Sequence, residues 1–394
     1  MSADATHLLQ KNLELVKTTD PEVTRRVWLN NKSHFACNLS DEVWLAKAAL
    51  RTGLDLGPGV EHKIWVLVPR GRGNDPSAIL SAVHTYERAG LMTVATKVSD
   101  HTNSAQEDST GTGNSRVALK NIVIVYVLLV FTPVEHRKRG YARTMLKMLK
   151  EQLEQQTDPA VELSFLFSSV GRDFYEPAGW PAVRSRELVL NVQDHVFPEL
   201  SMDTATNSWQ LEDITEANLQ VVMDRDIELL RAEMQDRTLK AHGNCQLAAI
   251  VPEARIFRGQ LAVTHFTHQR VLNIEKPIIR TGVRLNAANG GDAFIIWAYH
   301  ISYKILLVLR TRYETVGQLQ CLLKEAVQEA REWGLARVAV WDLKDEDAHE
   351  AAGVSNRDRT VAWSCIGQLG RDTDTGARRG PVDLMLNEGY IWGL

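Results

Sequence analysis

Four cysteines in 394 residues, Cys37, Cys245, Cys321 and Cys365, lie far apart with no Cys-x-x-Cys pair among them. That excludes a disulfide framework and a thiolate metal knuckle, and it suits reduced thiols in a cytoplasmic protein. An excess of one charge is lacking too. With 45 Lys and Arg against 49 Asp and Glu the net charge is -4, which offers no pull toward nucleic acid or a membrane. The apolar run Ile122 to Phe131 is far shorter than a membrane span, and Met1 to Lys11 is polar and mixed, unlike a secretory leader. His265-Phe266-Thr267-His268 has no supporting ligand pair at metal spacing, so an ordinary strand or loop and no metal are expected there. Gly111-Thr112-Gly113 sits in the polar run Ser99 to Ser115 with no strand before it and no helix after it, which excludes a nucleotide cradle; the run reads as a mobile loop.

What is present is length and apolar content enough for two cores, with 44% hydrophobic residues. Near Leu200 the composition turns polar, Ser201 to Ser208, and a linker there divides the chain into 1–200 and 201–394.

The stretch with most chemical content is Arg137-Lys138-Arg139-Gly140-Tyr141-Ala142. Before it runs Ile122 to Phe131, rich in β-branched and aromatic residues and stopped by Pro133, which cannot donate to a sheet ladder. After it, Ala142, Met145, Leu146, Leu149 and Leu153 recur at helical spacing. Strand, basic turn, glycine and helix in that order make a phosphate cradle. The unpaired N–H groups and dipole at the helix start attract anions, Gly140 admits them close to the backbone, and Arg137, Lys138, Arg139 and, one turn on, Arg143 add charge. Three basic residues alone would be a solvated loop; the ordered context favours the cradle.

Here the chain resembles the GNAT acetyltransferases, whose acetyl-CoA signature has Arg or Gln, two variable residues, Gly, one variable residue, then Gly or Ala. Arg137, Gly140 and Ala142 fall at that spacing. The resemblance implies that the turn from Arg137 through Tyr141 and Ala142 to Arg143 holds the CoA pyrophosphate. It also implies that the strand end at Phe131 and Thr132 pairs with the pantetheine arm. Val161 to Phe167 reads as the next strand, and Phe174-Tyr175 before Gly179-Trp180 resembles the second GNAT motif. There Tyr175 becomes the candidate general acid, a phenol that protonates the departing thiolate. A buried aromatic beside Trp180 is the alternative reading.

The resemblance narrows on Val130 to Arg137, Ser169 to Trp180, Trp297, Leu309-Arg310 and Asn387 to Trp392. Together these are similar to the fungal-type lysine N6-acetyltransferases, two-part GNAT proteins acting on the side-chain amine of free lysine. The fold implied is α+β, a mixed and mostly antiparallel GNAT sheet flanked by helices, with a second, degenerate GNAT-like C-terminal domain. Val134, Ala298-Tyr299 and Val361 to Arg379 depart from that pattern. Acetyl-CoA is the expected co-substrate and a small amine the expected partner. An acetyltransferase for a specialised metabolite or polyamine, and a CoA-binding scaffold without catalysis, are the rivals.

The general base stays open among Glu162, His84 and Glu388; Glu135 reads as a turn residue, and His136 as packing. Elsewhere, His7 to Lys17 and Pro21 to Leu50 read as helical, Lys63 to Pro69 and Ala78 to Tyr86 as strands, and Trp28 and Trp44 as anchors. In the second half Glu216 to Met234 reads as a helix and Gln246 to Ile250 as a strand. Ala293 to His300 with Lys304 to Arg310 reads as a hairpin, and Val316 to Trp333 as a long helix before the strand Ala336 to Trp341. This strand, helix, strand order copies Ile122 to Phe167 without the basic glycine turn, so acetyl-CoA is assigned to the first half only.

Overall fold

The computed structural model describes residues 12–36, 38–54, 61–96, 116–156, 161–168, 170–171, 173–183, 185–199, 209–241, 246–286, 292–358, 363–369 and 382–385. In the first half these form β1 (Leu13–Thr18), α1 (Pro21–Phe35), α2 (Asp41–Thr52), β2 (His62–Pro69), β3 (Ser81–Thr96), β4 (Arg116–Phe131), α3 (Tyr141–Gln155), β5 (Val161–Ser168) and β6 (Arg186–Asn191). There follow β7 (Gln210–Ile214), α4 (Leu219–Lys240), β8 (Gln246–Ile250), α5 (Ala254–Phe266), β9 (Gly282–Asn286), β10 (Asp292–His300), β11 (Ile305–Arg312) and α6 (Val316–Glu332). The chain continues through β12 (Arg337–Trp341), α7 (Asp345–Ala352), β13 (Arg357–Asp358), β14 (Trp363–Gln368) and β15 (Val382–Met385). No described helix is long and apolar enough to cross a membrane.

Local signals account for the helix starts. Asp20 accepts the amides of Glu22 and Val23 at 2.9 and 3.0 Å with Pro21 at the first helical position, and Ser40 caps α2 through the amide of Val43. The expected helix over His7 to Lys17 is instead strand β1 over its described part. Leu13 and Thr18 are buried and Leu13 to Thr18 pairs antiparallel with Pro69 to Ile64, so an edge position overrides the helical reading. The strand expected from Ala78 begins at Ser81, because Asp75 caps a short 3-10 turn over Pro76–Ala78. His265 and His268 belong to the end of α5 and a π-turn, neither strand nor loop.

Two mixed sheets result, with strand orders β1-β2-β3-β4-β5-β14 and β13-β6-β12-β11-β10-β9-β7; β8 also pairs with β3, and β15 with β8. In each, a run of antiparallel strands leads to a parallel pair joined by a crossover helix, β4 with β5 and β11 with β12; β15 also lies parallel to β8 in the first sheet. This is the GNAT fold twice, and the repeat legible in the sequence is real. The sheets do not divide at residue 200, however. β6 closes the second sheet against β12, and β14 returns to close the first against β5. The segment expected to be a linker, 201–208, lies outside the described residues, as do Ser99 to Ser115.

The apolar length of β4 has a packing reason. Ile122, Ile124 and Tyr126 face a core shared by both sheets, with Phe294, Ile296, Leu309 and Trp341, while Val125 and Val127 pack against α3 through Met145, Leu146 and Leu149. A strand covered on both faces reads as a continuous apolar run rather than an alternating one.

Candidate functional site

β4 and β5 pair from Val123/Val161 to Tyr126/Phe165 and then part, although β4 runs on to Phe131 and β5 to Ser168. At the same level β4 carries a bulge against β3 between Ala82 and His84, with Leu129 at φ 50°. The bulge rotates the strand and leaves backbone groups of residues 127–131 facing an open wedge.

The wedge leads to the basic turn. Lys138 (φ 62°) and Gly140 (φ 83°) both take the left-handed conformation, and no side chain caps α3, which starts at Tyr141. The first-turn amides of α3 are therefore presented outward from a corner that only glycine adopts without strain. Lys138, Arg139 and Arg143 are exposed around it. Arg137 does something else: its Nε donates to the carbonyl of Thr132 at 3.1 Å and its guanidinium lies over Phe131, so it braces the strand end. Thr132 is tied to Ser81 at 2.9 Å, and Ser81 donates to the carbonyl of Phe131. His136 packs edge-on to Tyr141, and Glu135 is exposed.

The second half has the same bulge, between Ile296 and Trp297, and the same parting of its parallel strands after Val308. Its helix start is shut. Thr315 accepts the amide of Gln318, and the Gln318 side chain accepts the amides of Glu314 at 2.7 Å and Thr315 at 3.1 Å, a complete capping box. Where the second wedge opens, Arg310 is buried on Asp226 of α4 at 2.8 Å. Trp297, expected among the family features, is core: its Nε1 donates to Tyr299, whose hydroxyl donates to Glu329.

Tyr175 is buried beside Phe174, Cys365 and the fully buried Trp180, whose Nε1 donates to Ser164 at 2.8 Å. Burial pushes the Tyr175 phenol well above its ordinary pKa, so it stays protonated at any physiological pH.

An open cavity lies at the bulge, lined by Leu128 and Leu129 of β4 and closed by Ile256, Gly259 and Gln260 of α5. Its polar lining is Asn31, Arg51, His62, His84, Tyr86, Arg88 and Tyr126, and it has no carboxylate among the described lining residues. Arg51 forms no ion pair among them, and its Nε is buried without a hydrogen-bond partner. Burial pushes Arg88 down to about 9, and burial with the Arg51 charge pushes Lys47 down to about 8. Trp44 donates to the Trp28 carbonyl at 2.6 Å, so these two anchors also wall the cavity. Of the expected bases only His84 is here. Glu162 is bonded to Lys120 at 2.7 Å away from the cavity, and Glu388 lies outside the described residues, as do Ser169, Arg172, Cys37, Cys245 and Asn387 to Trp392. Cys321 and Cys365 are free, and no cluster of metal-ligating side chains occurs among the described residues.

A family model described as the LYC1 GNAT-like C-terminal domain matches residues 195–393. The chain belongs to the LYC1 GNAT-like family. Members of this family and the doubled fold together place it among the GNAT acyltransferases. A probable N-acyltransferase of Enterococcus faecalis V583 is similar over 91% of this chain and 72% of its own, at 12% identity and a TM-score of 0.52. A GCN5-related N-acetyltransferase of Anabaena variabilis ATCC 29413 is similar over 91% and 73%, at 10% identity and a TM-score of 0.51. At such identities the likeness is one of fold. No curated protein sequence matches the chain.

The residues that the sequence did not reveal, Arg51, His62, Tyr86 and Arg88, come from α2, β2 and β3. One signal was available: His84, Tyr86 and Arg88 alternate along one face of β3, where an all-core strand would be apolar.

Proposed function

We propose that the protein is an acetyl-CoA-dependent N-acetyltransferase acting on the N6 amine of free lysine. The observation that carries this reading is the continuity from the uncapped, glycine-cornered start of α3, along the unpaired edge of β4, into a cationic cavity with no carboxylate among its described lining residues. Such a helix start suits a diphosphate, and the freed strand edge suits an amide-bearing arm. When bound, the thioester supplies an activated acetyl group. The chain's part is to hold that carbonyl against a β4 amide, which favours the oxygen as it gains charge, and to offer the Tyr175 proton to the sulfur.

The acceptor reading rests on charge. A cavity carrying two guanidinium groups, with no carboxylate among its described lining residues, repels a polyamine and attracts a molecule with its own carboxylate. Arg51, bonded to no acid, is the group for that carboxylate, leaving the distal amine for the wedge. The widely separated cysteines, with no Cys-x-x-Cys pair, and the absence of a membrane-crossing helix in the described residues are compatible with the cytoplasmic setting of a metabolic enzyme.

The test is thiol release with acetyl-CoA over a panel of amines. Lysine should outrun its decarboxylated diamine, and Arg51→Met should raise KM for lysine about 10- to 100-fold, the loss of a charged hydrogen bond worth about 1.5–3 kcal/mol, while leaving the diamine almost unaffected. Equal turnover of lysine and the diamine by the native protein would remove the amino-acid reading; no heat with acetyl-CoA in calorimetry would remove the whole proposal.

A further inference from the structure

Two histidines and an asparagine form a continuous hydrogen-bonded line on the wall of the cavity. Nε2 of His62 lies 3.0 Å from Nδ1 of His84, and Nε2 of His84 lies 3.2 Å from Nδ2 of Asn31. His84 and Asn31 are buried, at 2% and 0% exposure, so the line has a closed inner end. The outer end is His62, stacked on Tyr86 at 4.4 Å, whose Nδ1 bonds to nothing among the described residues. We infer that His62 is the proton acceptor for the attacking amine, with His84 and Asn31 as positioning residues behind it. This rests on the acetyltransferase reading of the same cavity.

The argument is one of elimination and of direction. The described cavity lining offers no carboxylate to take a proton, and its permanent charges, Arg51 and Arg88, are cationic. The remaining titratable groups that face His62 are His84 and Tyr86 of β3 and Tyr126 of β4, and burial pushes both phenols up and both imidazoles down, so all four are neutral. Burial beside the positive charges of Arg51 and Arg88 lowers the pKa of a substrate amine bound in this cavity. A carboxamide presents either its nitrogen or its oxygen. With the Asn31 oxygen turned inward, His84 Nε2–H donates to it, His84 Nδ1 accepts from His62 Nε2–H, and the bare Nδ1 of His62 is left to accept. When His62 is protonated, every bond in that line still holds.

The protons balance. The ammonium loses one proton to solvent before attack. As the C–N bond forms, the second goes to His62 Nδ1. The C–S bond breaks with its pair on sulfur, which takes the Tyr175 proton. Protonated His62 and the Tyr175 phenolate are then neutralised through solvent, and one net proton is released.

His62→Gln keeps the bond to His84 and removes the base. Its kcat with lysine at neutral pH should fall about 100-fold or more, with the acid limb of the pH profile gone, while calorimetry with acetyl-CoA is unchanged. Asn31→Asp should move the acid limb of the native profile upward, since a carboxylate behind His84 favours the protonated line. Native turnover and an unaltered pH profile in His62→Gln would overturn the inference, as would an unmoved limb in Asn31→Asp should the first variant not fold. Loss of acetyl-CoA binding by the native protein would instead strike the underlying function.

Discussion

Tyr175 sits at the meeting of packing and chemistry. Its ring fills a core with Met145, Trp180 and Cys365, and the low polarity of that core is what keeps the phenol protonated. A phenylalanine keeps the same ring in that core. Tyr175→Phe should therefore fold with native stability and bind acetyl-CoA, yet lose about 100-fold in kcat by thiol release. Native kcat in that variant would show that the residue is core alone. Both readings of this position were legible in the sequence. The Phe174-Tyr175 and Gly179-Trp180 spacing named the residue, but only the tertiary structure shows its burial beside Cys365 and Trp180.

At the scale of elements, the two crossover units diverge through their helix starts and strand ends. α3 begins on an uncapped left-handed glycine, whereas α6 begins on a capping box that uses its own side chains. The second wedge is further occupied by the triad of Arg310, Arg312 and Asp226, at 2.8 and 2.6 Å. Burial alone would raise the Asp226 carboxyl, but the two guanidinium groups hold it below the ordinary range. Because its folded pKa is depressed, its contribution is fully present above the unfolded value of about 3.9 and is lost as pH falls below that toward the folded one. Thermal unfolding should show that acid slope, and Asp226→Asn should flatten it. The substitution removes the charge of the carboxylate that the two guanidinium groups share and should cost about 3–5 kcal/mol, a fall of about 4–6 °C in Tm for a chain of this length. An unchanged Tm in Asp226→Asn would mean that the triad is not what secures this element. Arg310 was visible in the sequence as a family feature, but its partner, 84 residues away, was not.

The whole molecule is held together by exchange. Each half supplies the strand that finishes the other's sheet, β6 against β12 and β14 against β5, and both sheets share one apolar core. A fragment ending at residue 200 keeps the cradle but exposes the edge of β5 and the inner faces of Ile124, Tyr126 and Phe165. It should be insoluble or unfolded by circular dichroism when expressed alone, and it should regain structure when co-expressed with residues 201–394. A folded, monomeric 1–200 fragment would refute that interdependence.

Within single segments the sequence by itself determined a good deal. The two-faced apolar run of β4, the basic glycine turn and the amphipathic helix after it identify a cradle, because those features depend on neighbours in the chain and on one helix period. The repetition of strand, helix and strand at Ile305–Trp341, without the basic glycine turn, likewise identified the duplicated unit. Tertiary structure alone decided which strand closes which sheet, that Leu13–Thr18 is an edge strand, and that Asn31, Arg51, His62, His84 and Arg88 line one cavity. These residues stand on four separate elements, and only the pairing of β2 with β3 and the packing of α1 and α2 bring them together. Hydrogen-bond register across a sheet and the choice of partner edge are non-local, and no spacing along the chain encodes them.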